Sequence, residues 1–427
     1  MDLRLAQAFR PFFGCVSLPG DKSLAHRAAL FAALAEGTSV IRNYPDSGVT
    51  RAMRGALESL GVPSRIENDV LFLKGNGFRP FPNLGVTAYC GNSATTIRLL
   101  AGAVAATKSS AVLDGSAGLR RRPMNRIADP LRLMGGIVET TNGYAPLSIS
   151  AARLQGIDYA VPIASAQVLS CLQLAALGAD GASRFTVPGP VRDHTVRMLR
   201  AMGADVAPEN PVVQPLSVPL KPLDGTLPGD ISSAAFLFVA AAIVPNSYIQ
   251  VKNVGVNPTR TGILDILSTM GAQITLENEH EEFGEPVADV VLKAAHLKGV
   301  DIAGDLVVRA IDEFPAIAVA AAFADGVTTV REAKELRYKE TDRIAAIVAQ
   351  LSALGVDVDE FDDGFAITGG TLKGGTVCAN GDHRLAMSMA LCGLRAPVSV
   401  EGAEILNESF PDFAEKIASL RAVPSHE

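Results

Sequence analysis

The chain has 427 residues, long enough for two or more cores. Its 48% hydrophobic and 19% charged residues exclude a disordered or fibrous protein. The 45 acidic residues outnumber the 38 basic ones, and aromatics make up 5% with no Trp, which speaks against nucleic-acid binding by charge or base stacking.

The amino-terminal stretch is interrupted by Asp2, Arg4 and Arg10, so no signal-peptide core is read there. The longest apolar run, Ala234 to Val244, is too short to span a bilayer despite a mean hydropathy of +0.24. Cys15, Cys90, Cys171, Cys378 and Cys392 are scattered without a CxxC, and read as small core residues of a cytoplasmic protein with no zinc site.

A helix ending in Leu-Gly or Met-Gly recurs at Gly61, Gly135, Gly203, Gly271 and Gly355, with a degenerate sixth copy near Leu420. Each glycine is expected to be the left-handed residue just past a helix end. The helices before them are amphipathic, with Val196, Leu199 and Met202 on one face in the third copy and Ile344, Ile347, Leu351 and Leu354 in the fifth. That third copy is read as two helices and three strands, the last two being ADVAPE and PLSVPLKPL. A second helix type also occurs six times: AALFAAL, LLAGAVAA, VLSCLQLAA, AAFLFVAAAIV, AIAVAAAFA and LAMSMAL. These are apolar around almost the whole circumference and need burial on all sides. Six buried helices, each with strands and one surface helix, predict an α/β fold with helices inside and sheets outside, three units per domain.

The buried helices start at Lys22-Ser23, Ser93-Ala94-Thr95, Ser165-Ala166-Gln167, Asp230-Ile231-Ser232-Ser233, Asp312-Glu313 and Asp382-His383-Arg384. Ser, Thr and Asp there suit N-caps and need no ligand. Lys22, Arg27, Arg98 and Arg384 do not fit that explanation, because the helix dipole disfavours cations at this end; an anionic ligand accounts for them better. Basic residues also cluster in LRRRPMNR (Arg120, Arg121, Arg122, Arg126), GPVRDHTVR (Arg192, with His194) and LRYKETDR (Arg337, Lys339, Arg343, with Glu340). Taken together they predict a site for several phosphates or carboxylates. Lys22, Asp312, Glu340 and His383 are the acid–base candidates, although Asp312 reads equally well as an N-cap and His383 suits a supporting hydrogen bond. Nothing has the spacing of a metal site, a P-loop, a dinucleotide fingerprint or a hydrolase elbow.

In order, LPGDKSLAHR, GNSATTIR, RRRPMNR, ASAQVLS, PGDISSAA, IDEFPA, LRYKETDRI, NGDHRLAMSMA and ESFPDF resemble the landmarks of the 5-enolpyruvylshikimate-3-phosphate synthase family. The resemblance covers essentially the whole chain. It implies two inverse α/β barrel domains of three βαβαββ units each, residues 1–20 with 227–427 and residues 21–226, with the active site in the cleft between them. It implies enolpyruvyl transfer from phosphoenolpyruvate to the 5-hydroxyl of shikimate 3-phosphate, through a tetrahedral ketal, without metal or cofactor. By the same resemblance, Lys22, Ser23, Arg27, Ser165, Ala166, Gln167, Arg192, Asp312 and Lys339 bind shikimate 3-phosphate. Lys22, Ala94, Arg122, Gln167, Arg343 and Arg384 bind phosphoenolpyruvate. Lys22, Asp312 and Glu340 carry the protons, and the expected state is a cytoplasmic monomer with only small anionic partners.

Many family members have Gly where Ala94 stands, and Ala94 with ASAQ and RDHT resembles the glyphosate-insensitive subgroup. Some carry a Lys where Glu408 lies here, so Glu408 is given no role. The sister transferase acting on UDP-N-acetylglucosamine usually has a Cys where Ser116 stands. A non-catalytic repeat scaffold would not gather cations at apolar helix starts, and the acidic balance speaks against RNA 3′-phosphate cyclase. Paired chain crossings near Pro19-Gly20 and Pro228-Gly229 predict hinge closure on shikimate 3-phosphate.

Overall fold

The computed structural model describes residues 2–207 and 212–421, apart from the Glu408 side chain. The chain divides into two compact units, each with its own apolar core. The central unit is Pro19–Pro228 with Glu281–Glu285; the terminal unit is Met1–Leu18, Gly229–His280 and Pro286–Glu427.

In the central unit the helices are α1 (Lys22–Leu34), α2 (Gly48–Ser59), α3 (Ala94–Ala106), α4 (Asn125–Leu133), α5 (Ala166–Leu177) and α6 (His194–Ala201). The odd-numbered ones are the apolar type: α1 is buried without a break from Leu24 to Leu34, and α5 from Val168 to Leu177. By contrast α2 buries only Thr50, Met53, Ala56 and Leu57, as an amphipathic surface helix should. Small residues let the inner helices approach closely. A Cβ on Gly102 of α3 would lie 2.2 Å from the Cys171 carbonyl of α5, and one on Gly178 would lie 2.1 Å from the Ala106 carbonyl. Either would force α3 and α5 apart.

Three sheets complete this unit. Two have four strands, 224–226/36–42/70–76/64–67 and 86–89/111–114/144–150/137–141; the third has three, 212–213/183–186/158–160. Each contains a parallel pair whose second strand follows an inner helix directly.

The terminal unit repeats the plan with α7 (Ile231–Ile243), α8 (Gly262–Thr269), α9 (Asp305–Arg309), α10 (Phe314–Ala322), α11 (Arg343–Ala353), α12 (His383–Cys392) and α13 (Phe413–Ser419). Here α7, α10 and α12 are the buried rods and pack on one another. Its sheets are 13–17/248–255/285–293/273–282, 301–302/327–330/364–368/357–361 and the pair 375–378/398–401. Each unit is thus an inverse α/β barrel, sheets outside and helices inside.

Chain order and pairing order are exchanged at the crossings. Strand Phe13–Ser17 precedes α1 in sequence but pairs in parallel with Tyr248–Gly255, which follows α7. Strand Asp224–Thr226 precedes α7 but pairs with Glu36–Arg42, which follows α1.

The repeated glycines behave as expected. Gly61, Gly135, Gly203, Gly271 and Gly355 all have φ between +81° and +117°. The residue after each donates back to the last turn, as Val62 does to Leu57 and Val356 to Leu351.

Two expectations need correction. PLSVPLKPL forms no strand: Pro215, Pro219 and Pro222 lack the N–H donors a ladder needs, and the third unit closes with Val212–Val213 alone. Part of ADVAPE lies outside the described residues; Val206 makes a single bridge to Val213. Nor are all the cysteines core residues. Cys90, Cys171 and Cys392 are buried, but Cys15 and Cys378 lie on the outward faces of strands and are exposed.

Candidate active site

The N-cap explanation holds for five of the six inner helices. Asp21, Ser93, Ser165, Asp230 and Asp382 each accept a backbone N–H of the first turn. It fails for Asp312: the cap of α10 is Glu313, without a side-chain capping bond, and Asp312 stands one residue outside. With the caps accounted for, the cations in these first turns still need another reason to be there.

In the central unit the starts of α1, α3, α5 and α6 are cross-linked by side chains. Lys22 and Ser23 open α1, and Arg27 one turn on is buried. Its guanidinium donates from Nε to Thr195 Oγ1 (2.8 Å), from Nη2 to Ser170 Oγ (3.1 Å) and from Nη1 to the Ser23 carbonyl (2.9 Å). Ser170 and Thr195 are themselves 2.7 Å apart. This fixes α1 to α5 and α6, and Arg192 lies three residues before Thr195.

Between α3 and α5, Arg98 Nη1 donates to Gln167 Oε1 at 2.5 Å, while Gln167 Nε2 donates to Thr95 Oγ1 at 2.9 Å. Ala94, in the same turn as Thr95, is buried at the start of α3; Ser165 caps α5, and Ala166 opens it. Arg98 Nη2 donates to the Pro123 carbonyl at 3.3 Å, beside Arg122, and its buried Nε has no hydrogen-bond partner. Burial, reinforced by Arg122 and Arg126, lowers the Arg98 pKa to about 10. An anion beside Arg98, Arg122 and Arg126 would offset both the burial of the Arg98 charge and the mutual repulsion of the three cations.

The terminal unit gathers the remaining predicted residues. Arg343 opens α11 fully buried, among three carboxylates. Nε donates to Asp382 Oδ2 at 2.7 Å and Nη2 to Glu340 Oε2 at 2.8 Å; Nη1 has no hydrogen-bond partner and lies 3.7 Å from Asp312 Oδ1. Burial pulls its pKa down, but Asp382, Glu340 and Asp312 outweigh that and raise it, so the cation is secure. Lys339 Nζ is 3.4 Å from Asp312 Oδ1. Arg384 Nη1 donates to the Asp312 carbonyl at 3.2 Å and lies 3.7 Å from Glu313 Oε1. Behind these, Glu313 accepts from Ser232 Oγ, and Arg260 donates to Ser232 and Asp230. His383 is the first residue of α12.

Several basic residues turn out to be employed elsewhere. Arg120 pairs with Asp114 and holds that carboxyl below its usual range. Arg337 binds Asp342 (2.8 Å) and Glu360 (2.9 Å) and ties the turn before α11 to the sheet. His194 faces Glu285 at 2.8 Å, both buried. Sequence reasoning gave no role to His26, Ser170, Thr195 and Glu313 and read Asp382 only as a helix cap; for His26 and Ser170, inside inner helices, one signal was available, since buried polar residues require partners.

Residues 7–417 match the model of the EPSP synthase (3-phosphoshikimate 1-carboxyvinyltransferase) family. The chain is 46% identical over 429 residues to the 3-phosphoshikimate 1-carboxyvinyltransferase of Syntrophomonas wolfei, covering 98% of this chain and 99% of that one. It is 46% identical over 416 residues to the enzyme of the same name from Geobacter metallireducens, covering 95% and 97%. Among solved structures, EPSP synthase from Acinetobacter baumannii superposes with a TM-score of 0.91 at 40% identity, covering 99% and 98% of the two chains. The enolpyruvyl transferase NikO from Streptomyces tendae shares the fold, with a TM-score of 0.77 at 19% identity over 98% of this chain and 97% of that one. The chain therefore belongs to the EPSP synthase family.

Proposed function

We propose that this protein transfers the carboxyvinyl group of phosphoenolpyruvate to the 5-hydroxyl of shikimate 3-phosphate, releasing inorganic phosphate. The observation that carries the reading is the pair of clusters at the inner-helix starts, with cations gathered in one unit and cations interleaved with carboxylates in the other.

Two polyanions repel one another, so much of the catalysis must lie in holding them together. Arg27, with Lys22, Ser23, Ser165, Ala166, Gln167 and Arg192, is assigned to shikimate 3-phosphate, and Asp312 with Lys339 to its hydroxyl side. Lys22, Ala94, Arg122, Gln167, Arg343 and Arg384 are assigned to phosphoenolpyruvate. Support comes from Arg343 Nη1, a buried donor with no hydrogen-bond partner, and from the electropositive surroundings of Arg98.

Glu340 gives a proton to the methylene carbon, which becomes a methyl group. The 5-hydroxyl oxygen bonds to the neighbouring carbon while the Asp312 carboxylate takes its proton, with the Lys22 cation stabilising the developing negative charge. The tetrahedral ketal then returns a methyl proton to the Glu340 carboxylate and expels phosphate, restoring the double bond in the product. The same reading carries the expectation of a cytoplasmic monomer, checked by sedimentation and cell fractionation. It also carries reduced glyphosate binding, because a methyl at Ala94 occupies space that glycine leaves open.

The deciding experiment is phosphate release from phosphoenolpyruvate with shikimate 3-phosphate or UDP-N-acetylglucosamine as acceptor. Turnover with shikimate 3-phosphate alone is expected; release only with the sugar nucleotide overturns the reading.

A further inference from the structure

We propose that His26 is a positioning residue for the transfer reaction, a bridge that fixes the Lys22 end of α1 against the N-cap of α3. The inference deepens the enolpyruvyl-transfer reading and rests on it. His26 lies on the buried inner helix α1, next to Arg27, and is 3% exposed, so both ring nitrogens need partners. Nδ1 is 2.6 Å from the Lys22 carbonyl and Nε2 is 3.2 Å from Ser93 Oγ.

These contacts define the tautomer. A carbonyl oxygen only accepts, so Nδ1 carries the hydrogen. Ser93 Oγ already accepts from the Thr96 amide (3.1 Å) and from Thr96 Oγ1 (2.9 Å). Its single hydrogen is free to go to Nε2. Burial lowers the ring pKa to about 4; the Arg27 and Lys22 charges act the same way, against the Lys22 carbonyl and Asp21. The imidazole is therefore neutral at pH 7 and able to accept at Nε2.

The bridge completes a set. Arg27 ties α1 to α5 and α6, and Arg98 with Gln167 ties α3 to α5. Only His26–Ser93 among the hydrogen bonds described above joins α1 to α3, the helix starts that hold Lys22 and Ala94. A small displacement of binding groups is enough to cost up to about 100-fold in rate.

The test compares full-length wild type with His26→Ala, His26→Asn and His26→Gln. Measurements are kcat and KM for both substrates, thermal midpoints, and ¹⁵N NMR of the wild-type imidazole. The amide of Asn reaches about where Nδ1 stands, and that of Gln about where Nε2 stands. Asn therefore keeps the Lys22 bond and Gln the Ser93 bond. The expected results are protonation on Nδ1 and a fall in kcat/KM for phosphoenolpyruvate of roughly tenfold to 100-fold in His26→Ala. His26→Gln, which keeps the link to α3, should recover more of it than His26→Asn, independently of thermal midpoint. Protonation on Nε2, unchanged kcat/KM in His26→Ala, or losses that merely track thermal midpoint would overturn the proposal while wild-type turnover stands. A wild type that fails to use shikimate 3-phosphate overturns the functional reading itself.

Discussion

The two units share one plan but hold their helix starts together by different chemistry. In the central unit the links run through neutral groups: the Arg27 cation with the hydroxyls of Ser170 and Thr195, the Arg98 cation with the Gln167 amide, and the neutral His26 imidazole with the Ser93 hydroxyl. In the terminal unit they are guanidinium–carboxylate contacts: Arg343 with Asp382 and Glu340, Arg384 with Glu313, Arg260 with Asp230. Neutral links add no negative charge of their own beside the cations, which suits anion capture. Paired charges place carboxylates beside cations, which suits proton movement. One repeated scaffold thus presents two kinds of polar cluster, according to which groups stand at the ends of its inner rods.

The sharpest way to break this contrast is Glu340→Gln. It should lower kcat by about 1,000-fold with a small change in KM for shikimate 3-phosphate, as removal of a proton-transfer group does. A comparable kcat would reassign Glu340 to binding. Next is Asp382→Ala, which strands the buried Arg343 cation. Leaving one partner of such a pair unpaired costs about 3–5 kcal/mol, measurable by urea unfolding. No change in midpoint would mean that Glu340 and Asp312 suffice. Arg27→Lys should raise the KM for shikimate 3-phosphate by at least about tenfold, since an ammonium cannot reproduce three fixed donor directions. An unchanged KM would remove Arg27 from the binding set.

Acid should sharpen the difference. Unfolded, His26 takes a proton near 6.5; folded, only near 4. Between those values the unfolded chain binds more protons, so the His26 contribution to stability is complete above pH 6.5 and is lost as pH falls towards 4. From pH 7 to 5 that loss is about 2 kcal/mol. His26→Gln should show a correspondingly flatter pH dependence in urea titrations, and an identical slope would refute the assignment. Ala94→Gly is expected to have the smallest effect, a roughly tenfold tighter inhibition by glyphosate, in the range of one methyl in a snug pocket. Equal inhibition curves would exclude the methyl as the cause.

Much of the architecture was written in local pattern. All-round apolar helices such as AAFLFVAAAIV have to be interior, and Leu-Gly or Met-Gly has to end a helix, because both follow from burial and backbone geometry within a few residues. Arg98 and Arg384 stood out for a similarly local reason, as cations at helix starts where the dipole opposes them, and Arg343 as part of the basic run LRYKETDR. The exception at PLSVPLKPL was also local, since three prolines outweigh an apolar pattern.

What only the tertiary structure decided were the long-range partners. No spacing in the sequence joins Arg27 to Thr195, 168 residues away, or Arg343 to Asp382, 39 residues away. Nor does it separate Arg337 and Arg120, occupied by carboxylates, from Arg98, whose Nε finds no partner. Periodicity depends on near neighbours and can be read in one dimension. Pairing depends on which rods each barrel sets side by side, and those contacts exist only once the barrel has formed.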